Sequence, residues 1–241
     1  MARWIVFLSM ALVITAAALA QPQGSTRLVD PPGEESQAVR AAIDQVSRAL
    51  ESGTPPSAIL TDPKYLPLHA WPRFRLVIRD HAARGDLTIV TPMEPGPRLT
   101  LKGTVLDRSG NPVKGARVYV YQTSAKGWYS SEGGHISGPS GDEGHARLFG
   151  YVVGDDQGRF VVKTIRPVGY PESNLPAHIH VEIAAGAGNG RVMVTEVQFS
   201  DDPRLTPGAR RFSAQEKLVI CDVRRGPKGE EEVEARFQTA W

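Results

Sequence analysis

From residue 98 onward the chain alternates apolar and polar positions. Leu99, Leu101, Gly103 and Val105 fall on every second residue, which predicts a strand with one face toward a core. Asp107-Arg108-Ser109-Gly110-Asn111-Pro112 supplies turn residues, and residues 116–122 predict the next strand. Further strand-like runs cover residues 148–153, 159–163, 177–183, 192–199, 217–223 and 232–237. Many short strands separated by turn signals predict a mainly β protein, an antiparallel β-sandwich. Residues 130–144 are glycine-rich and follow no period, so a long loop is expected there.

Before residue 98 the period is helical. Val39, Ile43, Val46 and Leu50 form one apolar stripe, stopped by Gly53 and Pro55. Phe74, Val77, Ile78 and His81 form a second, with Gly85 as its stop. His81, on the apolar side, is expected to be a satisfied structural histidine rather than a ligand. Residues 21–35 read as a mobile leader. The first twenty residues are a separate object: Arg3 is a short positive region, residues 5–18 are almost wholly apolar, and Ala18-Leu19-Ala20 fits a small-x-small cleavage site. That pattern reads as a secretory signal, against the plainer alternative of an uncleaved anchor. The expected division is therefore 1–20 signal peptide, 21–97 leader and short helical N-terminal segment, and 98–241 the β-sandwich domain. The expected location is periplasmic or secreted, with no membrane span after cleavage.

Composition narrows the partners. A chain of 241 residues, 41% hydrophobic, can fill one core. With 28 basic and 26 acidic residues, a formal charge of +2 and no basic run, it carries no electrostatic footprint for nucleic acid. Loss of Arg3 with the signal would bring the charge to +1. The single Cys221, in Leu218-Val219-Ile220-Cys221, cannot form an intrachain disulfide and is expected to be a buried strand residue. The stripe from Val39 to Leu50 can cover its own core or a neighbour's, which leaves a homo-oligomer open.

The candidate chemistry begins at His178-Ile179-His180. Alternate residues of a strand share a face, so both imidazoles project together. Alone, this pair is weak evidence for a metal. Tyr170 lies eight residues earlier in a Gly169-Tyr170-Pro171 bend, and Tyr129 follows Lys126-Gly127-Trp128 just after the strand carrying Tyr119 and Tyr121. A phenol loses its proton only near pH 10 unless a strong Lewis acid takes the oxygen. Two phenolates and two imidazoles suit Fe(III) better than zinc, and leave room for a bidentate substrate.

The ordered set Leu101-Lys102-Gly103-Thr104-Val105, Gly110-Asn111-Pro112-Val113-Lys114-Gly115-Ala116, Gly127-Trp128-Tyr129, Asp155-Asp156-Gln157-Gly158-Arg159-Phe160, Thr164-Ile165-Arg166-Pro167 and Pro176-Ala177-His178-Ile179-His180 resembles the intradiol ring-cleavage dioxygenases, the family of catechol and protocatechuate dioxygenases. The resemblance spans residues 98–203. It implies a prealbumin-like sandwich and an Fe(III) ion held by Tyr129, Tyr170, His178 and His180. A catechol-type ring would bind through both oxygens and be opened by O2 to a muconate-type diacid. By position, Tyr129 and His178 match the ligands that stay bound, and Tyr170 and His180 the axial pair. Tyr170 matches the tyrosine that leaves the metal and takes up a substrate proton.

Two positions depart from that family. Leu175 stands where an arginine usually precedes the histidines, and Glu196 stands for a glutamine, within Thr195-Glu196-Val197-Gln198-Phe199. Together these change the local charge by about two units near an anionic substrate, a matter of several kcal/mol in a poorly solvated pocket. Leu175, Glu196, Trp128 and Arg147 are the candidate pocket residues, and Arg147 or Arg166 are candidate replacement cations. Redirected ring cleavage and lost ring cleavage are both outcomes these departures leave open. Residues 103–116 equally resemble the prealbumin-like modules of exported adhesins, which bind without catalysis. A zinc site on the two histidines with His135, Glu143 or His145 is a third reading. Tyr119, Tyr121 and Tyr151 are expected to turn their hydroxyls outward, and Asp155 and Asp156 to build a turn.

Overall fold

The computed structural model describes residues 27–185 and 192–241. The proposed signal and its cleavage site lie outside the described residues. In chain order the elements are β1 (Leu28–Val29), α1 (Gln37–Glu51), α2 (Pro56–Leu60), a 3-10 helix (Pro63–Leu68), α3 (Pro72–Asp80), β2 (Ala83–Arg84), β3 (Asp86–Thr88), β4 (Arg98–Leu106), β5 (Arg117–Gln122), β6 (His135–Ile136), α4 (Gly141–His145), β7 (Leu148–Val153), β8 (Arg159–Ile165), β9 (His178–Ala184), β10 (Val192–Phe199), α5 (Pro207–Gln215), β11 (Val219–Cys221), β12 (Arg224–Arg225) and β13 (Glu231–Gln238).

The strands form a six-stranded sheet, β11-β10-β9-β5-β7-β2, a five-stranded sheet, β12-β13-β4-β8-β3, and the small pair β1-β6. None of these closes into a barrel among the described residues. The expected antiparallel arrangement holds only in part. The pairs β9-β10, β5-β9, β5-β7, β4-β8 and β12-β13 are antiparallel, whereas β4-β13, β10-β11, β2-β7, β3-β8 and β1-β6 are parallel. The parallel strands arrive from distant parts of the chain, a pairing that local alternation does not encode.

Alternation decides what each strand buries. Along β4, Leu99, Leu101, Gly103 and Val105 are buried and the intervening residues are not. Both large sheets contribute to one core with Phe149, Phe160, Phe199 and Phe237, each fully buried and each stabilising by about 1.5–3 kcal/mol. Gly150 on β7 permits a close approach, since a Cβ there would lie 2.6 Å from Leu87 and 2.8 Å from Ile89. The segment around β3 therefore packs directly against the six-stranded sheet.

The helices cover this core as their stripes predict. α1 is capped by the Ser36 hydroxyl, which accepts from the Val39 amide, and buries Ile43, Val46 and Leu50. α3 starts at Pro72 and buries Phe74 and Ile78. His81 caps α3 and donates from Nδ1 to the Val77 carbonyl at 2.9 Å, the structural role expected of it. Three expectations need correction. The leader is placed from Arg27, because β1 pairs with β6. The expected loop 130–144 contains β6 and part of α4. The Tyr119 hydroxyl turns inward, where it donates to the Glu143 carbonyl and accepts from Arg75. Cys221 is buried as expected, with its thiol pushed up to about 12 by burial and then by Asp222.

Candidate metal centre

β9 lies between β5 and β10, hydrogen-bonded on both sides, and carries His178 and His180 on one face. The ladder sets their neighbours: His180 stands opposite Tyr121 on β5 and Glu196 on β10, and His178 opposite Gln198. The Tyr121 ring stacks on the His180 imidazole at 4.3 Å with 9° between planes. The hydroxyl of neighbouring Tyr119 is tied to Arg75, so a buried column of rings holds His180 in place from below.

The tyrosines come from two loops stitched together. After β5 the chain turns at Ser124–Gly127, where the Gly127 amide donates to the Ser124 carbonyl at 2.9 Å. Tyr129 follows, its amide bonded to Gly134 O at 3.0 Å and its carbonyl accepting from the Arg147 amide at 2.7 Å. After β8, the Pro167–Pro171 loop runs alongside: Thr123 donates to the Val168 carbonyl at 2.7 Å, and the Arg204 guanidinium to the Tyr170 carbonyl at 3.1 Å. Gly127 makes the contact possible, since a Cβ there would sit 2.6 Å from the Gly169 carbonyl oxygen.

These four side chains converge. The Tyr129 hydroxyl lies 2.7 Å from that of Tyr170 and 2.8 Å from His180 Nε2. His178 Nε2 lies 3.1 Å from the Tyr170 hydroxyl and 3.1 Å from His180 Nε2. His178 Nδ1 lies 2.8 Å from the Pro176 carbonyl, which can only accept, so the proton is on Nδ1 and the Nε2 lone pair faces the cluster. Burial holds the Tyr129 phenol well above its ordinary range, with Tyr170 adding to the effect, and pushes Tyr170 up to about 12. Burial, then neighbouring His178, lowers His180 to about 3. Two phenol oxygens and two imidazole nitrogens, all electron-pair donors converging on one point, fit a small, strongly Lewis-acidic cation.

Proximity also groups His178, His180 and Glu196. The carboxylate, however, approaches the outer nitrogens, 4.0 Å from His178 Nδ1 and 3.8 Å from His180 Nδ1. The inner Nε2 atoms face the tyrosines, so Glu196 stands behind the imidazoles and not inside the cluster.

The remaining candidates separate. Arg147 is bound to Glu94 through two hydrogen bonds of 2.6 Å, both side chains largely buried, and is no free pocket cation. Arg166 is held by Asp201 at 2.7 Å and Glu231 at 3.0 Å, over the Phe199 ring. Both candidate cations are thus already ion-paired, and Leu175 is half exposed. Trp128 is partly buried beneath Lys126, 5.1 Å from its ring. Of the zinc candidates, His145 is bonded to the Ala70 carbonyl, and neither it, Glu143 nor His135 joins the metal-competent group. Asp155 accepts from the Gln157 and Arg159 amides and builds the expected turn.

Sequence reasoning missed two supports, Arg75 and Gln198, and read a third, His135, only as a zinc candidate. Buried Arg75 reaches the carbonyls of His69, Ala146 and Glu143 and the Tyr119 hydroxyl. His135 is bonded to Asp142 at 2.8 Å with its ring 4.6 Å from that of Tyr170. Gln198 accepts at 2.7 Å from the buried Ser213 hydroxyl of α5. Only Gln198 carried a readable signal, two residues beyond Glu196 and therefore on its face.

The chain is 30% identical over 144 residues to the catechol 1,2-dioxygenase of Acinetobacter baylyi, covering 53% of this chain and 44% of that protein. It is 33% identical over 129 residues to the chlorocatechol 1,2-dioxygenase of Rhodococcus opacus, covering 46% and 47%. The chain thus spans about half the length of these relatives. A solved dioxygenase domain from Streptomyces sp. SirexAA-E aligns with a TM-score of 0.48 at 24% identity, over 66% of this chain and 89% of that one. A family model described as Dioxygenase matches residues 72–240, most of the chain and all four converging side chains. On that match, the chain belongs to the intradiol ring-cleavage dioxygenases, a family that uses non-haem iron.

Proposed function

We propose that this protein is an exported, periplasmic or secreted, intradiol dioxygenase with a prealbumin-like sandwich, which binds Fe(III) through Tyr129, Tyr170, His178 and His180. The observation that carries the reading is the convergence of two phenol oxygens and two imidazole nitrogens within 2.7–3.1 Å of their neighbours. Zinc sites favour thiolate, imidazole and carboxylate, whereas paired phenolates are hard anionic donors suited to a trivalent ion. An Fe(III) ion held there supplies Lewis acidity, lowering the phenol and catechol pKa values and orienting the catecholate toward O2.

The chain's own groups do the rest. His178 and His180 present fixed lone pairs from a strand paired on both sides. The Tyr129 phenol is enclosed and serves as a permanent anchor. Tyr170, less enclosed, is the group suited to accept a proton from a substrate hydroxyl. In the reaction, one O2 adds to a catechol-type ring and the bond between the two oxygen-bearing carbons breaks. Each of those carbons ends as a carboxyl carbon.

Visible spectroscopy with iron analysis tests the assignment. The iron-loaded protein is expected to be red-brown from tyrosinate-to-Fe(III) charge transfer, with a band that moves when catechol is added. Tyr129→Phe is expected to remove most of the band, and Tyr170→Phe to shift it. Oxygen uptake over a panel of catechols and hydroxyquinols should show one O2 per ring opened. A colourless protein that takes up no Fe(III) would refute the metal assignment, and a coloured protein that consumes no O2 would refute the activity.

A further inference from the structure

The polar groups behind the histidines form a chain of their own. Strand residues two apart share a face, so Glu196 and Gln198 stand beside the imidazoles of β9. The Ser213 hydroxyl, in a side chain only 1% exposed, donates to Gln198 Oε1 at 2.7 Å. That contact fixes the Gln198 amide, itself 4% exposed, with its NH2 toward Glu196 Oε2 at 3.4 Å. The carboxylate is thereby directed at the outer nitrogens, 3.8 Å from His180 Nδ1 and 4.0 Å from His178 Nδ1. Among the described residues, no lysine or arginine forms an ion pair with Glu196.

His178 and His180 differ in what holds their outer nitrogens. The Pro176 carbonyl already takes the His178 Nδ1 proton. When His180 turns its Nε2 lone pair to a metal, its proton must sit on Nδ1, where Glu196 Oε1 is the facing acceptor. A closure of under an ångström makes this a hydrogen bond.

We infer that Glu196 is a positioning residue for the metal centre: its carboxylate, held by Gln198 and Ser213, orients His180 through Nδ1–H and sets a negative charge behind the imidazole pair. This rests on the four-ligand reading above. A carboxylate behind a ligating imidazole fixes the tautomer and raises the basicity of the inner nitrogen, and loss of such partners typically weakens metal affinity about 10- to 100-fold. For iron, the added negative charge favours the trivalent over the divalent state.

The test uses the full-length iron-loaded protein and the variants E196Q, E196D and S213A. Fe(III) affinity is measured by chelator competition, and the Fe(III)/Fe(II) midpoint potential by spectroelectrochemistry. E196Q, which keeps the shape and removes the charge, is expected to bind Fe(III) about 10- to 100-fold more weakly and to raise the midpoint potential. E196D keeps the charge and should hold its potential closer to wild type than E196Q does. S213A frees the Gln198 amide and should move affinity in the same direction, by less. A red-brown wild type whose E196Q variant keeps both affinity and potential overturns this inference alone. A wild type that takes up no Fe(III) overturns the four-ligand reading, and the inference with it.

Discussion

Gly127 sets the spacing between the two loops that carry the tyrosines, and Gly127→Ala measures how much that spacing matters. Two costs add. The backbone there has φ +73°, a left-handed conformation that costs an L-residue roughly 1–2 kcal/mol. The added Cβ would lie 2.6 Å from Gly169 O and 3.0 Å from Pro171 Cδ, where ordinary contact begins near 3.4 Å. The Tyr170 loop must therefore retreat by roughly 0.8 Å from backbone, not from a pliable side-chain end, at about 1–3 kcal/mol. The total is roughly 2–5 kcal/mol, or about 5–15 °C in Tm for a chain of this size. Gly229→Ala is the control: φ is +79° with nothing within 4 Å, so only the first cost applies. The displacement exceeds the roughly 0.5 Å tolerance of a preorganised site, so Gly127→Ala should also weaken Fe(III) uptake and shift the charge-transfer band, while Gly229→Ala leaves both alone. Thermal melting and iron titration of the two variants decide the matter. If they melt alike and bind iron alike, the close contact between the loops does not hold the site.

Acid should destabilise the metal-free protein in a defined window. Burial lowers His69 from 6.5 to about 4 and His180 to about 3, so the unfolded chain binds more protons below pH 6.5 and stability falls as pH drops from there, with His69 contributing up to about 3 kcal/mol by about pH 4. Urea midpoints across that range should fall less steeply in His69→Asn, with His180 keeping part of the slope, and an unchanged slope would reject His69 as a source. The Glu94–Arg147 pair is structural, so Glu94→Gln, which strands a buried guanidinium, should cost roughly 3–5 kcal/mol, while Glu94→Met with Arg147→Met recovers much of the loss. A Glu94→Gln protein that unfolds at the wild-type urea concentration would refute this reading.

The sequence made the local parts of the site legible. Period-two alternation placed His178 and His180 on one face, and the Gly169-Tyr170-Pro171 bend marked Tyr170 as a loop residue. What it hid was long-range. Arg75 lies off the apolar stripe of α3 and reads as solvated, yet it is buried because four acceptors from three other segments surround it. The same arginine turns the Tyr119 hydroxyl inward, against the outward orientation expected from its strand. Arg147 looked available because its partner, Glu94, lies 53 residues earlier in a proline-rich connection. α5 escaped notice although Thr206 and Pro207 are a proper helix start, because it presents almost no apolar stripe: its buried side chain is Ser213, and Phe212 is exposed.

The division of the ligand set between strand and loop argues which donor can move. His178 and His180 sit on β9, whose backbone is bonded to a strand on each side, and their rings are held by the Pro176 carbonyl and the Tyr121 stack. Tyr129 is 1% exposed, with its amide and carbonyl both engaged. Tyr170 differs on each count. It is only partly buried, it lies on a glycine–proline bend, and its hydroxyl lies within reach of both Tyr129 and His178. Under the proposed function, a partly exposed ring would leave the cation at a smaller packing cost than Tyr129, which is enclosed in the core. The smaller rise in the Tyr170 phenol follows from the same partial exposure, which under the proposed function suits it to take up a substrate proton. Under the proposed function, this asymmetry of burial between two chemically identical side chains is what assigns Tyr129 as the anchor and Tyr170 as the base.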